Sequence, residues 1–165
     1  MEIAYQNILD KLTTEVPELR FIDLDGGQLE APEDHYQPDL PAAFIRFSMP
    51  RIQTVGPKFQ QIHAEVYVRV AFQVYEDMNN LTPESLRTSA LDKLKITKKV
   101  HKALQGYIGD NFNAMDRFNQ EQEDRQDGLI VFRIGYRTYM KDDSAMDDTT
   151  TKEGVSVTIN PEVKP

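Results

Sequence analysis

The sequence predicts an α+β fold, a mainly antiparallel sheet with two principal helices packed on one of its faces, and three observations carry that expectation. From Ile62 onward the even positions Ala64, Val66, Val68, Val70, Phe72 and Val74 are apolar, while His63, Glu65, Tyr67, Arg69, Gln73 and Tyr75 hold most of the opposite side. A period of two sustained this long describes a strand with one face in the core and one wet or in contact with a partner, as antiparallel sheets have. Near the amino terminus and again around Val100, apolar residues recur instead at spacings of three and four, the period of a helix with one buried stripe. The order helix, strands, helix, strands belongs to the α+β class.

Each element follows from local signals. Tyr5, Ile8, Leu9, Leu12, Val16 and Leu19 form the stripe of a first helix, and Pro17 ends it by removing a donor and restricting the residue before it. Arg20 to Leu24 has strand character, and Asp25-Gly26-Gly27 is a turn. Ala31 to Pro41, with Pro32, Pro38 and Pro41 among acids, reads as an irregular loop. Ala42 to Ser48 reads as a strand bounded by Pro41 and Pro50. Thr82-Pro83-Glu84 resembles an N-cap followed by proline at the first helical position, with Leu86, Ala90 and Leu94 as an apolar side. Thr97 to Tyr107 is a further amphipathic helix, with Val100, Ala103, Leu104 and Tyr107 on one side and an end near Gly106; the sequence leaves open whether the two segments join.

Met115 to Gln122 and Leu129 to Met140 flank the acidic, glycine-closed stretch Glu123 to Gly128, which predicts a hairpin. In its second arm Ile130, Phe132, Ile134 and Tyr136 share one face, and Arg133 and Arg137 share the other. Lys141 to Lys152 is polar, yet Val155, Val157 and Ile159 alternate again before Pro161. The expected organisation is one domain over residues 1–140 and a polar linker with an extended C-terminal arm over 141–165.

Composition narrows the function. Of 165 residues, 39% are hydrophobic and 28% charged, enough for one core. The formal charge of −8 disfavours gripping a phosphate backbone, though passive contact with DNA along an acidic wall remains compatible with it. The absence of cysteine excludes disulfides, thiolate metal sites and thiol nucleophiles. No basic leader opens the sequence and no run approaches the ~20 apolar residues a membrane span requires, so a soluble protein made in the cytoplasm, without membrane contact, is expected.

One motif suggests chemistry. Phe21-Ile22-Asp23-Leu24-Asp25-Gly26 resembles the nucleophile loop of haloacid dehalogenase-type phosphotransferases, and that resemblance implies Asp23 as nucleophile and Asp25 as acid/base. Against it, position 27 is glycine where threonine or valine is usual, and the spacing from Asp110 to Asp116 exceeds that family's acidic pair. The alternating strand from Ile62 also contradicts a buried parallel sheet. His35, His63 and His101 lack metal-ligand spacing, Lys95, Lys98, Lys99 and Lys102 read as a solvated or subunit-facing helix side, and no G-x-x-x-x-G-K loop is present. No catalytic, cofactor or metal residue is therefore expected, and no enzymatic activity.

A broader resemblance covers residues 20–140. Phe21-Ile22-Asp23-Leu24-Asp25 with Gly27-Gln28-Leu29, Pro41 to Phe47, Val68 to Phe72, Lys99 to Tyr107 and Asp124 to Ile134 together are similar to small tail-completion, or tail-terminator-like, proteins of tailed phages and prophages. That resemblance implies a tail-terminator-like α+β subunit forming a ring, commonly a hexamer, that caps the tail tube and joins it to the head. Its partners would be copies of itself, the tail-tube protein and the head-completion or connector proteins, and its place the virion after assembly in the host cytoplasm. A tail-tube or baseplate subunit is the alternative, distinguished by copy number. The residues expected to make subunit contacts are Glu65, Tyr67, Arg69, Arg133 and Arg137, with Val155, Val157 and Ile159 crossing to a neighbour's sheet edge.

Overall fold

The computed structural model describes residues 1–30, 38–73 and 79–146. In chain order they form α1 (Glu2–Glu15), β1 (Phe21–Leu24), a 3-10 turn (Gln28–Glu30), β2 (Ala42–Gly56), β3 (Phe59–Gln73), α2 (Glu84–Leu104), β4 (Asp116–Gln122) and β5 (Leu129–Asp142). The strands make one five-stranded sheet in the order β1-β2-β3-β5-β4. Only β1 with β2 pairs in parallel; the other neighbours are antiparallel.

The alternation of β3 decides which face is covered. Ile62, Ala64, Val66, Val68, Val70 and Phe72 point to the helices, where Ala4, Ile8 and Leu12 of α1 and Ile96, Val100, Ala103 and Leu104 of α2 meet them. Ala43 and Ile45 of β2 and Ile134, Tyr136 and Met140 of β5 complete this core. Removing a side chain of such size from water contributes ~1.5–3 kcal/mol, so one consistent face on three central strands is enough to hold both helices. Burial raises the Tyr136 phenol well above its ordinary pKa, and its hydroxyl lies 3.4 Å from His101 Nδ1.

Two boundaries differ from the sequence reading, and one question it left open is settled. β2 does not stop at Pro50. Ser48 pairs with Glu65 and Arg51 with His63, so Met49 and Pro50 together oppose Ala64. This bulge tolerates the missing N–H of proline, and its extra residue inverts the side-chain parity so that Arg51 joins the face of His63. The two segments after Thr82 are one continuous α2, because Leu94, Thr97, His101 and Leu104 keep a single stripe through the junction. Pro83, not Thr82, is its N-cap residue; it makes no side-chain cap bond, and the Thr82 hydroxyl is buried without a partner.

The helix ends at Leu104 with Gln105 as its C-cap, close to the expected Gly106, whose φ of +74° suits glycine and whose N–H donates to Met115 O at 2.8 Å. The hairpin β4–β5 is present, with Gly128 at φ +76° in its loop. β5 runs to Asp142, two residues past the expected domain limit. Residues 31–37, Val74, Tyr75 and the arm with Val155, Val157 and Ile159 lie outside the described residues. Among the described residues no helix is long and apolar enough to cross a membrane.

Candidate functional site

The sheet face turned away from the helices divides into a closed half and an open half. In the closed half, Leu29 folds over Ala42, Phe44, Ala71 and Val131, with Phe21, Leu40 and Leu129 at its margin. Arg69 of β3 emerges here, and its charge is taken up within the chain. Its Nε and Nη2 donate to Glu123 at 2.8 and 2.7 Å, Nη2 also to Glu30 at 2.5 Å, and Nη1 to Asp25 at 3.3 Å. Arg125 donates to Glu30 at 3.0 Å, to the Leu29 carbonyl at 2.5 Å, and to Asp127.

Burial works to lower the Arg69 pKa, but its hydrogen bonds to Glu30 and Glu123 and the charges of Glu123 and Asp25 overcome it, so the guanidinium is held charged more firmly than usual. The same bond from Arg69, then that from Arg125, keeps Glu30 below the ordinary carboxylate range. The cluster ties the turn after β1, the 3-10 turn and the β4–β5 loop to the middle of β3. Arg69, expected at a subunit contact, is thus engaged inside its own chain, with only 10% of its side chain exposed.

The two aspartates of the dehalogenase-like motif have separate partners. Asp25, its side chain 6% exposed, receives Arg69 and, at 3.3 Å, the Gly27 N–H. Asp23 accepts the Leu24 N–H at 2.7 Å and Gln28 Nε2 at 3.2 Å, and it raises the pKa of Tyr5, after burial, by its charge and a hydrogen bond. No group of three or more metal-ligating residues forms among the described residues.

The open half brings Glu65 and Tyr67 of β3 together with Arg133 and Arg137 of β5, because these two strands pair and each pair of residues shares its strand's outward face. Tyr67 donates to Glu65 at 2.8 Å, which with burial raises the phenol pKa. Arg133 stacks over the Tyr67 ring at 5.4 Å and pairs with Glu121 at 2.5 Å. Arg137 lies 4.0 Å over the ring of Phe118 and 3.4 Å from Glu65. Tyr67 and Phe118 meet edge to face at 5.9 Å.

Phe118 and Glu121 were not foreseen. The available signal was Gly135, a glycine inside a strand, which commonly marks close approach of another group. A Cβ there would stand 2.9 Å from the Phe118 ring and 3.2 Å from that of Tyr67. The bare backbone of Gly135 is the floor on which both rings rest. At one end of this patch a cavity of about 390 Å³ opens beside the β2 bulge, lined by Arg51, His63, Glu65, Arg137 and Tyr139 among others. His63 and Tyr139 contact edge to face at 4.5 Å there.

The patch combines half-buried aromatic rings with one arginine left largely in water, 64% of the Arg137 side chain, and one half-buried, Arg133, whose Nε is buried without a partner. Aromatic residues and arginine are what protein contact surfaces enrich, because a rigid ring supplies area with little loss of freedom and a guanidinium both stacks and donates. No protein-family model matches the chain, and a search of curated proteins finds no match.

Proposed function

We propose that this chain is a structural subunit of a tailed-phage particle, a tail-terminator or head-tail connector protein that closes into a ring with copies of itself. The observation that carries the reading is the aromatic and arginine patch on the open half of the sheet, a surface suited to a second polypeptide. The similarity of residues 20–140 to tail-completion proteins supplies the phage setting, and the α+β fold with both helices on one face agrees with it. A head-to-tail contact between such patches and a different surface of the next copy closes when its rotation divides the circle. The ring would end tube growth by shape and mass action, and the C-terminal residues 153–161 would tie neighbouring copies together.

Light scattering after size exclusion, with negative-stain imaging, tests this. Purified chain alone or mixed with its tail-tube protein is expected to give rings with a central hole, and Tyr67→Ala with Arg137→Glu to give single copies of unchanged fold. Single copies of the unaltered chain under both conditions would reject the proposal.

A further inference from the structure

A second surface has the opposite chemistry to the rest of this acidic chain. Between α2 and β4, on the helix side of the sheet, lies a groove of about 460 Å³ lined by Leu94, Thr97, Lys98, His101, Arg117, Gln120 and Phe132. No carboxylate is among these residues. Lys98 and Arg117 supply charge, and Arg117 Nη1 donates to Gln120 Oε1 at 2.7 Å, which leaves the Gln120 amide hydrogens as donors. Thr97 is 5% exposed, yet its hydroxyl has no hydrogen-bond partner. A buried hydroxyl left unbonded forfeits its hydration, so it favours an acceptor brought into the groove. Leu94 and Phe132 form an apolar end beside this polar one. β4 is the last strand of the sheet, so no strand pairs with its outer edge among the described residues.

We propose that this groove and the free edge of β4 receive residues 153–159 of a neighbouring copy, an inference that rests on the ring reading for the source of the strand. The match is one of parity and charge. In an extended strand Glu153, Val155, Val157 and Ile159 fall on one side. Laid along β4, that side puts one carboxylate toward Lys98, Arg117 and the Thr97 hydroxyl and places valines against Leu94 and Phe132. The added backbone satisfies the edge of β4 beyond Arg117, whose N–H already donates to Gln105 Oε1 at 3.0 Å, the mode by which extended peptides join exposed sheets. Residues 147–152 separate Met146 from Glu153, and at ~3.3 Å per residue this tether spans up to about 23 Å, so the receiving groove must come within that reach of Met146 on the neighbouring copy.

Because the chain has no cysteine, directed crosslinking of the full-length protein is clean. Val157→Cys, on the groove-facing side of the arm, paired with Gln120→Cys is expected to give interchain disulfides under mild oxidation. With Lys99→Cys, on the side of α2 that pairs with Glu18, the yield should be at least about fivefold lower. Lys98→Glu should cut the Gln120 yield, and Glu153→Lys added to it should restore it, a rescue that general misfolding would not produce. Rings that form normally while crosslinking no better than the Lys99 control would overturn the groove alone. Intrachain disulfides would overturn the crossing, and single copies throughout would overturn the ring reading beneath it.

Discussion

Replacing Arg69 by methionine keeps the length of the side chain and removes its charge from between three carboxylates. Asp25 is then left nearly buried and Glu123 loses both arms of a two-bond contact, while Arg125 stays 3.0 Å from Glu30 and 3.6 Å from Glu123. Breaking a buried ion pair by removing one partner destabilises by ~3–5 kcal/mol. Glu30, with 52% of its side chain exposed, adds little because water screens it, so a loss of about 3 kcal/mol is expected. For a chain of this size that corresponds to a melting temperature lower by about 6–12 °C.

Circular dichroism against temperature and against urea measures the loss, and Arg20→Met, an exposed arginine outside the cluster, is the control. A loss below about 1 kcal/mol, or one no greater than that of Arg20→Met, would refute the assignment of Arg69 as the clamp of the closed half. The pH dependence has a definite sign. Glu30, whose folded pKa lies below its ordinary 4.5 through the bond from Arg69 and then that from Arg125, contributes stability fully above that value and loses it as pH falls through the folded pKa. The native chain should therefore weaken below about pH 4.5, and its advantage over Arg69→Met should narrow there.

Other perturbations test packing. Gly109→Ala should destabilise by about 1–3 kcal/mol, since a Cβ would stand 2.1 Å from the buried ring of Phe112 and 2.6 Å from Asn7 Oδ1; an unchanged urea midpoint would contradict this close approach. Leu12→Ala, at a fully buried site where α1 meets the sheet, should lose about 2–5 kcal/mol by the same assay. In a chain lacking residues 153–159, Thr97→Val removes a buried hydroxyl that has no partner, so unfolding should show a change between zero and a gain of about 1 kcal/mol. A loss beyond 1 kcal/mol would mean that the hydroxyl has a partner within the fold.

Much of the architecture was legible from order and period alone. A strand's two-residue repeat fixes which side of β3 is buried whatever surrounds it, so the opposition of Val66 and Val68 to Glu65 and Tyr67 followed from sequence, as did the sharing of a face by Arg133 and Arg137. Helix α1, the end of α2 near Gly106 and the β4–β5 hairpin rest on equally local chemistry. Local signals misjudged β2, because proline ends a regular strand but is tolerated in a bulge, and a bulge exists only when a partner strand supplies the opposing residue. The split of α2 was undecided for a related reason: continuity was settled by one stripe packing on one sheet.

What belonged to tertiary structure alone was the fate of individual charges. Arg69 and Tyr67 stand two apart on the same strand face, and nothing in their spacing separates them. Only the folding of the Asp25 to Glu30 turn and the Glu123 to Asp127 loop over one end of that face surrounds Arg69 with carboxylates and leaves the other end open. Likewise Phe118 reaches Tyr67 only because β4 pairs beyond Gly135. Periodicity assigns a side chain to a face, but neighbours from distant segments decide whether that face is closed by its own chain or offered to another.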